Sequence, residues 1–203
     1  MTETALVIVD MQNDFLHPDG AYAKSGATSE NLSVLAEKLA PVTEIFRSQG
    51  CWIVSTHFTL VPGKNGEPFI SDHLKRLRPF LGKGDFLSGS FGHALVDLLS
   101  PSDLCVDKVA YSAFYMSRLE WTLNQAGIKN LVFSGIVTNG GVASTARDAH
   151  VRGYRCTILE DGCAAFSQKE HDIAIKSLAS ISAITDCKTL LRTRNLQGLL
   201  EKS

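Results

Sequence analysis

The chain has 203 residues, of which 44% are hydrophobic and 20% are charged, and its formal net charge at pH 7 is −1. This composition is typical of a globular protein that buries its own core without disulfides or structural metals. The near-neutral charge offers no electrostatic basis for binding nucleic acid or an anionic membrane surface, so neither is expected as a partner.

The sequence gives two indications of the cellular compartment. It contains no run of about eighteen apolar residues, so no membrane span is predicted. Residues 1–4 lack the basic and apolar regions of a signal peptide, which predicts a cytoplasmic protein. The five cysteines are odd in number and form no CxxC pair, which favours reduced thiols over a disulfide framework or a zinc ribbon.

Predicted strands and helices alternate along the chain. Apolar runs predict strands at residues 5–9, 51–55, 104–106, 131–133, 155–159 and 181–184. Helices are predicted over residues 31–49, 93–99, 117–126, 142–151, 169–179 and 189–200. The alternation predicts an α/β protein with a three-layer, Rossmann-like fold, in which helices cover both faces of a six-stranded parallel sheet. No linker or repeat interrupts it, so residues 1–203 are expected to form a single domain.

Two segments depart from this regular pattern. Pro41 interrupts the helical spacing of residues 31–49, which predicts either a kink or two helices, and Gly50 is expected to cap the end. Residues 59–92 contain repeated turn signals and little periodicity. A connection of this length in a compact domain is usually functional, so we interpret it as a lid or an oligomer contact.

Three predicted strands end in residues that carry chemistry. Asp10 follows the first strand, Lys108 follows the third, and a turn from Thr138 to Gly141 joins the fourth strand to a helix. Parallel sheets bind ligands at the carboxyl ends of their strands, so we expect these residues to meet. A carboxylate and an ammonium beside a turn rich in N–H donors are suited to proton transfer and oxyanion binding. Taken singly, Asp10 fits a turn cap and Lys108 a surface lysine, and only their combination favours a catalytic site.

Three motifs carry a family resemblance. The first strand ends in Asp10-x-Gln12-x-Asp14-Phe15, and Lys108 is followed by Tyr-Ser-Ala-Phe at residues 111–114. The third motif reads Gly-Ile-Val-Thr-Asn at residues 135–139 and Ser-Thr-Ala-Arg-Asp-Ala at residues 144–149. In these motifs, and over nearly its whole length, the sequence resembles the isochorismatase-like hydrolases, also called the cysteine hydrolase superfamily.

The resemblance implies a particular active site. In the amide-cleaving members an Asp-Lys-Cys triad acts, in which Cys attacks a carbonyl, Asp is the base and Lys supports charge. The oxyanion hole uses N–H groups of the turn, where the family has a non-proline cis peptide bond. By this resemblance the cis bond is expected between Val137 and Thr138.

The sequence departs from that triad at its nucleophile, because Gly141 stands at the cysteine position. Covalent acyl-enzyme chemistry at that position is therefore excluded. The isochorismatases proper also have Gly there and cleave a vinyl ether by proton transfer from the Asp, which by resemblance is Asp10. They have Ala-His where Thr138-Asn139 stands here, which leaves the substrate open. Cys163 follows the fifth strand, one strand away, and we do not expect it to replace the nucleophile.

The expected catalytic residues are therefore Asp10, Lys108 and Gly141, which stands at the position of the family cysteine. Candidates for contacting substrate or an oxyanion are Gln12, Phe15, His57, Phe114, Val137, Thr138, Asn139 and Gly140. Simpler roles remain open for several of these: Thr138 and Asn139 as helix caps, His57 as a loop residue, and both phenylalanines as core residues. Related nicotinamidases build a metal site from an Asp and two closely spaced His after the second strand. Here the histidine after His57 is His73, so we expect no metal and no cofactor.

Three functions are compatible with these residues. The first is non-covalent hydrolysis of a small enol or vinyl ether, with Asp10 as general acid. The second is an amidase that activates water directly between Asp10 and Lys108, and the third is a binding protein that lost turnover together with the cysteine. The partner in each case is a small molecule, and the resemblance implies a homodimer or homotetramer.

Overall fold

A computed structural model describes residues 2–192 and shows one six-stranded sheet. All five strand pairs are parallel, in the order β3-β2-β1-β4-β5-β6. This confirms the predicted fold class. The strands are β1 (Thr4–Val9), β2 (Trp52–Phe58), β3 (Leu104–Lys108), β4 (Asn130–Ile136), β5 (Arg155–Ala164) and β6 (Ala183–Thr185).

Helices cover both faces of the sheet. Successive residues of β1 point to opposite faces, so Val7 joins the core beneath one helical layer and Leu6 joins the core beneath the other. This double burial explains why β1 is apolar at nearly every position. The helices are α1 (Asn13–Leu16), α2 (Ala21–Lys24), α3 (Glu30–Ser33), α4 (Leu35–Ser48), α5 (Asp72–Leu77), α6 (Leu119–Gln125), α7 (Ala143–Val151), α8 (Gln168–Leu178) and α9 (Cys187–Arg192).

Several strands extend further than the apolar runs indicate. Strand β2 continues through Phe58 and β3 through Lys108, because these polar segments pair with each other in parallel register. Strand β5 likewise continues to Ala164, past the predicted end at residue 159. Apolar composition marks the buried centre of a strand, whereas hydrogen bonding to a neighbour sets its end.

Two helix predictions are corrected by the structure. The helix predicted at 31–49 breaks at Val34, between α3 and α4, whereas Pro41 lies inside α4. The helix predicted at 93–99 is reduced to one 3₁₀ turn at Asp97–Leu99. It is shorter because Leu95 forms an antiparallel bridge with Gln12 instead.

The remaining boundaries lie within a few residues of the prediction. Gly50 has φ +67° and follows α4, as expected of a helix-ending glycine. The last predicted helix, 189–200, begins earlier as α9, and its part beyond residue 192 lies outside the described residues. Among residues 2–192, no helix is both long and apolar enough to cross a membrane.

The irregular segment 59–92 folds back over the carboxyl end of the sheet. Leu60, Leu81 and Phe86 form a third apolar cluster with Ala21 and Tyr22. This cluster places the segment above the strand ends where the sequence predicts the active site.

Candidate active site

Asp10 and Lys108 form a buried ion pair at the carboxyl end of the sheet. The Oδ2 of Asp10 lies 2.7 Å from the Nζ of Lys108, and the two residues are only 5% and 3% exposed. Thr56 Oγ1 donates a hydrogen bond of 3.0 Å to Asp10 Oδ1, and Lys108 Nζ donates one of 3.1 Å to the carbonyl of Ala110. The two predicted catalytic side chains are therefore in direct contact, each held by further hydrogen bonds.

Burial raises the pKa of the Asp10 carboxyl above its ordinary value of 3.8. The charge of Lys108 and the hydrogen bonds from Lys108 and Thr56 oppose this rise, but the effect of burial is larger. Asp10 consequently keeps its proton to a higher pH than an exposed aspartate does. This property suits a group that donates a proton during a reaction.

The turn after β4 leads into α7 through one turn of π-helix, Thr138–Val142. The non-proline cis peptide bond lies between Ile136 and Val137, so the prediction of Val137–Thr138 was wrong by one bond. The N–H groups of Gly140 and Val142 both donate to the carbonyl of Val137, at 2.9 and 3.3 Å. The Gly140 N–H is thus already engaged within the turn.

Gly141 lies directly against the carboxyl group of Asp10. A Cβ at this position would stand 3.1 Å from Asp10 Oδ2 and 3.0 Å from Val9 Cγ1, closer than side chains normally approach. The position at which the family resemblance places the nucleophile therefore faces Asp10, and glycine leaves room next to the carboxylate.

A cavity of about 340 Å³ opens above the ion pair. Its floor is formed by Asp10, Lys108, Val137 and Gly141. Its roof is helix α5 with the flanking Ser71 and Arg78, so part of segment 59–92 covers the cavity as a lid would. Aromatic rings supply most of the remaining wall, namely Phe15, Tyr22, Phe58, Tyr111 and Phe166.

Arg78 adds a second cation to the cavity. Its Nε donates a 3.2 Å hydrogen bond to the hydroxyl of Tyr22, and its guanidinium lies 4.7 Å from the ring centroid of Phe166. Two basic side chains, Arg78 and Lys108, therefore face this cavity together with one acid, Asp10. This balance favours a ligand that carries negative charge.

Some expected substrate contacts lie elsewhere in the structure. Gln12 is fully buried and bonds to the backbone of Phe58 and His93, so it joins β2 to the loop before the 3₁₀ turn Asp97–Leu99. Phe114 is buried, with its ring against Tyr154 and the guanidinium of the exposed Arg152. Neither Gln12 nor Phe114 lines the cavity, whereas Phe15 and Val137 do.

The polar residues of the turn also point away from the cavity. Thr138 is fully buried, and its hydroxyl lies 2.9 Å from Nδ1 of His171 on α8. Asn139 is exposed to solvent. The structure thus assigns Thr138 a contact with α8.

His57 projects from β2 into a separate group of polar side chains. Its Nε2 lies 3.0 Å from Ser55 Oγ, and its ring packs edge-on against His93 with centroids 5.0 Å apart. Burial, assisted by the nearby His93, lowers the pKa of His57 to about 4. The imidazole is therefore neutral at physiological pH.

Sequence reasoning missed several residues of the cavity. Tyr111 was visible as part of the lysine motif, and Phe58 as a residue at a strand end. Tyr22, Arg78 and Phe166 carried no signal of spacing or periodicity, because they reach the cavity from three separate loops and helix ends. The unusual length of segment 59–92 was the single indication that it contributes to the site.

None of the cysteines within residues 2–192 lines this cavity. Cys163 is buried, with its Sγ 3.7 Å from the carbonyl of Phe133, and burial raises the pKa of its thiol. A buried, protonated thiol is a poor nucleophile. This agrees with the expectation that Cys163 does not replace the missing cysteine.

Comparisons with known proteins identify the family of the chain. The family model described as the Isochorismatase domain matches residues 4–189. Ureidoacrylate amidohydrolase RutB of Caulobacter vibrioides is 34% identical over 171 residues, which cover 78% of this chain and 75% of that protein. The RutB of Azorhizobium caulinodans is 35% identical over 172 residues, covering 78% and 75%.

Solved structures share the fold. N-carbamoylsarcosine amidase from Thermoplasma acidophilum superposes with a TM-score of 0.71 at 26% identity, covering 92% of this chain and 97% of that one. A cysteine hydrolase from Pseudomonas syringae pv. phaseolicola superposes with a TM-score of 0.80 at 20% identity, covering 98% and 95%. Because the Isochorismatase domain model matches residues 4–189 and the RutB relatives are 34–35% identical, the chain belongs to the isochorismatase family of hydrolases.

Proposed function

We propose that this hydrolase acts without a covalent intermediate, using Asp10 as a general acid on a small anionic enol ether. The observation that carries the proposal is the packing of Gly141 against a buried carboxyl whose pKa is raised. With glycine at this position, the group best placed to react in the cavity is Asp10 itself. A proton donor suffices for enol ether cleavage, because the substrate's own double bond accepts the proton.

The proposed reaction proceeds in three balanced steps. Protonated Asp10 transfers its proton to the terminal carbon of the C=C bond, and the ether oxygen stabilises the resulting oxocarbenium ion. Water adds to the cationic carbon and returns a proton to Asp10. The hemiketal then breaks its C–O bond, releasing an alcohol and a ketone.

Lys108 contributes at the moment when Asp10 becomes anionic. Its Nζ lies 2.7 Å from Oδ2, so the ammonium stabilises the carboxylate that the first step creates. Both groups are buried, and water therefore screens their attraction little. The pair is thus arranged to favour proton loss from Asp10 in the transition state.

The cavity supports a substrate with a planar apolar body and a carboxylate. The aromatic wall suits a flat, unsaturated ligand. The planar guanidinium of Arg78, already held by Tyr22 and Phe166, suits bidentate recognition of a carboxylate. Lys108 is engaged by Asp10, so we assign the substrate's charge to Arg78.

A second candidate is hydrolysis of an amide or ureido bond by water activated between Asp10 and Lys108. The similarity of about 34% to proteins named ureidoacrylate amidohydrolase favours it. In that reaction Asp10 is a base, so its rate rises with pH through the pKa of Asp10. For the enol ether reaction the rate falls as pH rises over the same range. The two candidates therefore differ in whether the rate rises or falls with pH.

The deciding experiment compares wild type, Asp10→Asn and Gly141→Cys on isochorismate, ureidoacrylate and nicotinamide over a range of pH. We expect wild type to cleave the enol ether, with a rate that declines with pH and falls at least ~100-fold in Asp10→Asn. Cleavage of the amides by wild type, at a rate that rises with pH, would favour the second candidate. If wild type is inert and Gly141→Cys gains amidase activity, the natural role is ligand binding.

Arg78→Gln tests the substrate class separately. Losing one charged hydrogen-bonding partner should raise KM for a carboxylate substrate by about 10- to 100-fold. The methyl ester of the same substrate should show no such change. Arg76→Gln, an exposed arginine on α5 that does not line the cavity, is the matched control.

A further inference from the structure

Three side chains with metal-binding atoms lie together at the β2–β3 edge of the sheet. His57 pairs with Asp107 in the parallel register, and Cys105 lies two residues before Asp107, so all three project from one face. One ligand atom from each lies within 4.8 Å of those of the other two. We propose that this edge cluster, His57, Cys105 and Asp107, binds a zinc ion.

The state of His57 supports the proposal. This residue is 5% exposed, and one ring nitrogen, Nε2, lies 3.0 Å from Ser55 Oγ. The other ring nitrogen, Nδ1, has no hydrogen-bond partner. Within residues 2–192, every other buried side-chain nitrogen or oxygen has one. Metal-binding imidazoles commonly have one nitrogen held by a hydrogen bond while the other coordinates the ion.

The carboxylate of the edge cluster is also oriented by its neighbours. Ser88 Oγ donates a 2.8 Å hydrogen bond to Asp107 Oδ2, and His93 Nε2 lies 3.7 Å from Oδ1. The Asp107 side chain is 46% exposed, which gives an ion a route from solvent. Such outer contacts hold ligands in place in known metal sites.

The donor set indicates the metal. A thiolate, an imidazole and a carboxylate suit zinc, whereas calcium and magnesium prefer oxygen ligands alone. Tetrahedral zinc separates its ligand atoms by roughly 3.5 Å, as bond lengths of about 2.0–2.3 Å require. Binding therefore needs the three side chains to draw together by about 1 Å, which the half-exposed Asp107 side chain allows.

The edge cluster is separate from the catalytic pair and was not visible in the sequence. Asp107 and Lys108 are consecutive in β3 and project to opposite faces, so Lys108 reaches Asp10 while Asp107 joins the cluster. The expectation of no metal rested on the distance between His57 and His73. The structure instead brings His57 together with two residues of the neighbouring strand.

Cobalt titration of the full-length protein, after removal of metals by a chelator, tests the proposal. Co²⁺ reports thiolate coordination through a charge-transfer absorption band. We expect one Co²⁺ per chain with this band, its displacement by Zn²⁺, and loss of the band in Cys105→Ser. Asp107→Asn and His57→Gln should lower the affinity for Zn²⁺ at least about 10- to 100-fold.

Cys156→Ser, which removes a buried thiol from β5, is the matched control and should keep the band. Absence of a stoichiometric band in wild type, or its survival in Cys105→Ser, would overturn the proposal. Circular dichroism establishes that each variant is folded. If His57→Gln fails to fold, Asp107→Asn decides, because its side chain is half exposed.

Discussion

At the scale of single residues, the site depends on the balance that sets the charge of Asp10. Burial favours the protonated carboxyl, and the ammonium of Lys108 favours the carboxylate. Because burial has the larger effect, Asp10 keeps its proton to a higher pH than an exposed aspartate does. The same pairing makes Lys108 the residue whose removal should alter the pH profile most clearly.

Lys108→Met should move the falling limb of kcat/KM to higher pH. Removing the positive charge leaves burial unopposed, so the pKa of Asp10 rises further and the acid form persists, by about 1–3 pH units. The measurement is the pH at which kcat/KM of the enol ether reaction halves. Lys188→Met, at an exposed lysine, should leave this pH at its wild-type value. If Lys108→Met also leaves it at the wild-type value, Lys108 does not control the pKa of Asp10.

Gly141→Ala should impair both stability and activity. The added Cβ would press on Val9 and on Asp10 Oδ2 at 3.0–3.1 Å, which requires the carboxyl to shift. Overpacking of this kind costs about 1–3 kcal/mol. Denaturant unfolding and kcat measure the two effects. Gly82→Ala is the control because nothing lies within 4 Å of a Cβ there, and equal effects at both positions would refute the explanation.

At the scale of secondary-structure elements, the turn Thr138–Val142 is held by a contact with α8. The bond between Thr138 Oγ1 and His171 Nδ1 joins the start of the π-helical turn to a helix on the sheet's surface. Thr138 is fully buried, so no solvent competes for its hydroxyl. We infer that α8 fixes the position of the turn relative to Asp10.

His171→Ala should lower kcat with little change in KM. Loss of one hydrogen bond costs about 0.5–1.5 kcal/mol in stability, whereas a displaced turn lowers kcat roughly 10-fold. Steady-state kinetics and thermal unfolding separate the two effects. His150→Ala, an exposed histidine at the end of α7, provides the comparison, and an unchanged kcat in His171→Ala would remove the positioning role.

Element boundaries show where sequence patterns lose information. Apolar runs located all six strands, because buried strands need apolar side chains on both faces. The sequence patterns missed their polar ends at residues 56–58 and 107–108. These ends are held by pairing with a neighbouring strand, which the residue composition does not reveal. These polar ends carry Lys108, which contacts Asp10, and two residues of the edge cluster, His57 and Asp107.

At the scale of the whole molecule, Asp14 joins the first motif to segment 59–92. Its Oδ1 accepts the N–H of Ala21 at 3.1 Å, and its Oδ2 accepts the N–H of Phe86 at 2.6 Å. Gly92 packs so closely that a Cβ would stand 2.3 Å from the carboxylate. The motif residue therefore organises the loops around the cavity.

Asp14→Ala should destabilise the protein by about 2–4 kcal/mol, because two buried N–H groups lose a charged acceptor. Denaturant unfolding measures this loss. Asp19→Ala, at a side chain that is 80% exposed, should change stability by no more than about 0.5 kcal/mol. A similar small change in Asp14→Ala would show that the loops are held by other contacts.

The sequence by itself determined the fold class and the meeting of Asp10 and Lys108 at one edge of the sheet. Both follow from local patterns, since apolar runs define strands and the strand ends of a parallel sheet share one edge. The family was indicated by the resemblance of three motifs, and the match of the family model over residues 4–189 confirms it. Only the tertiary structure decided that Tyr22, Arg78 and Phe166 line the cavity, whereas Gln12 and Phe114 do not. It also decided that His57 lies beside Cys105 and Asp107. Such contacts join residues that are far apart in the chain. Packing between separate elements brings these residues together, and no local sequence pattern records that packing.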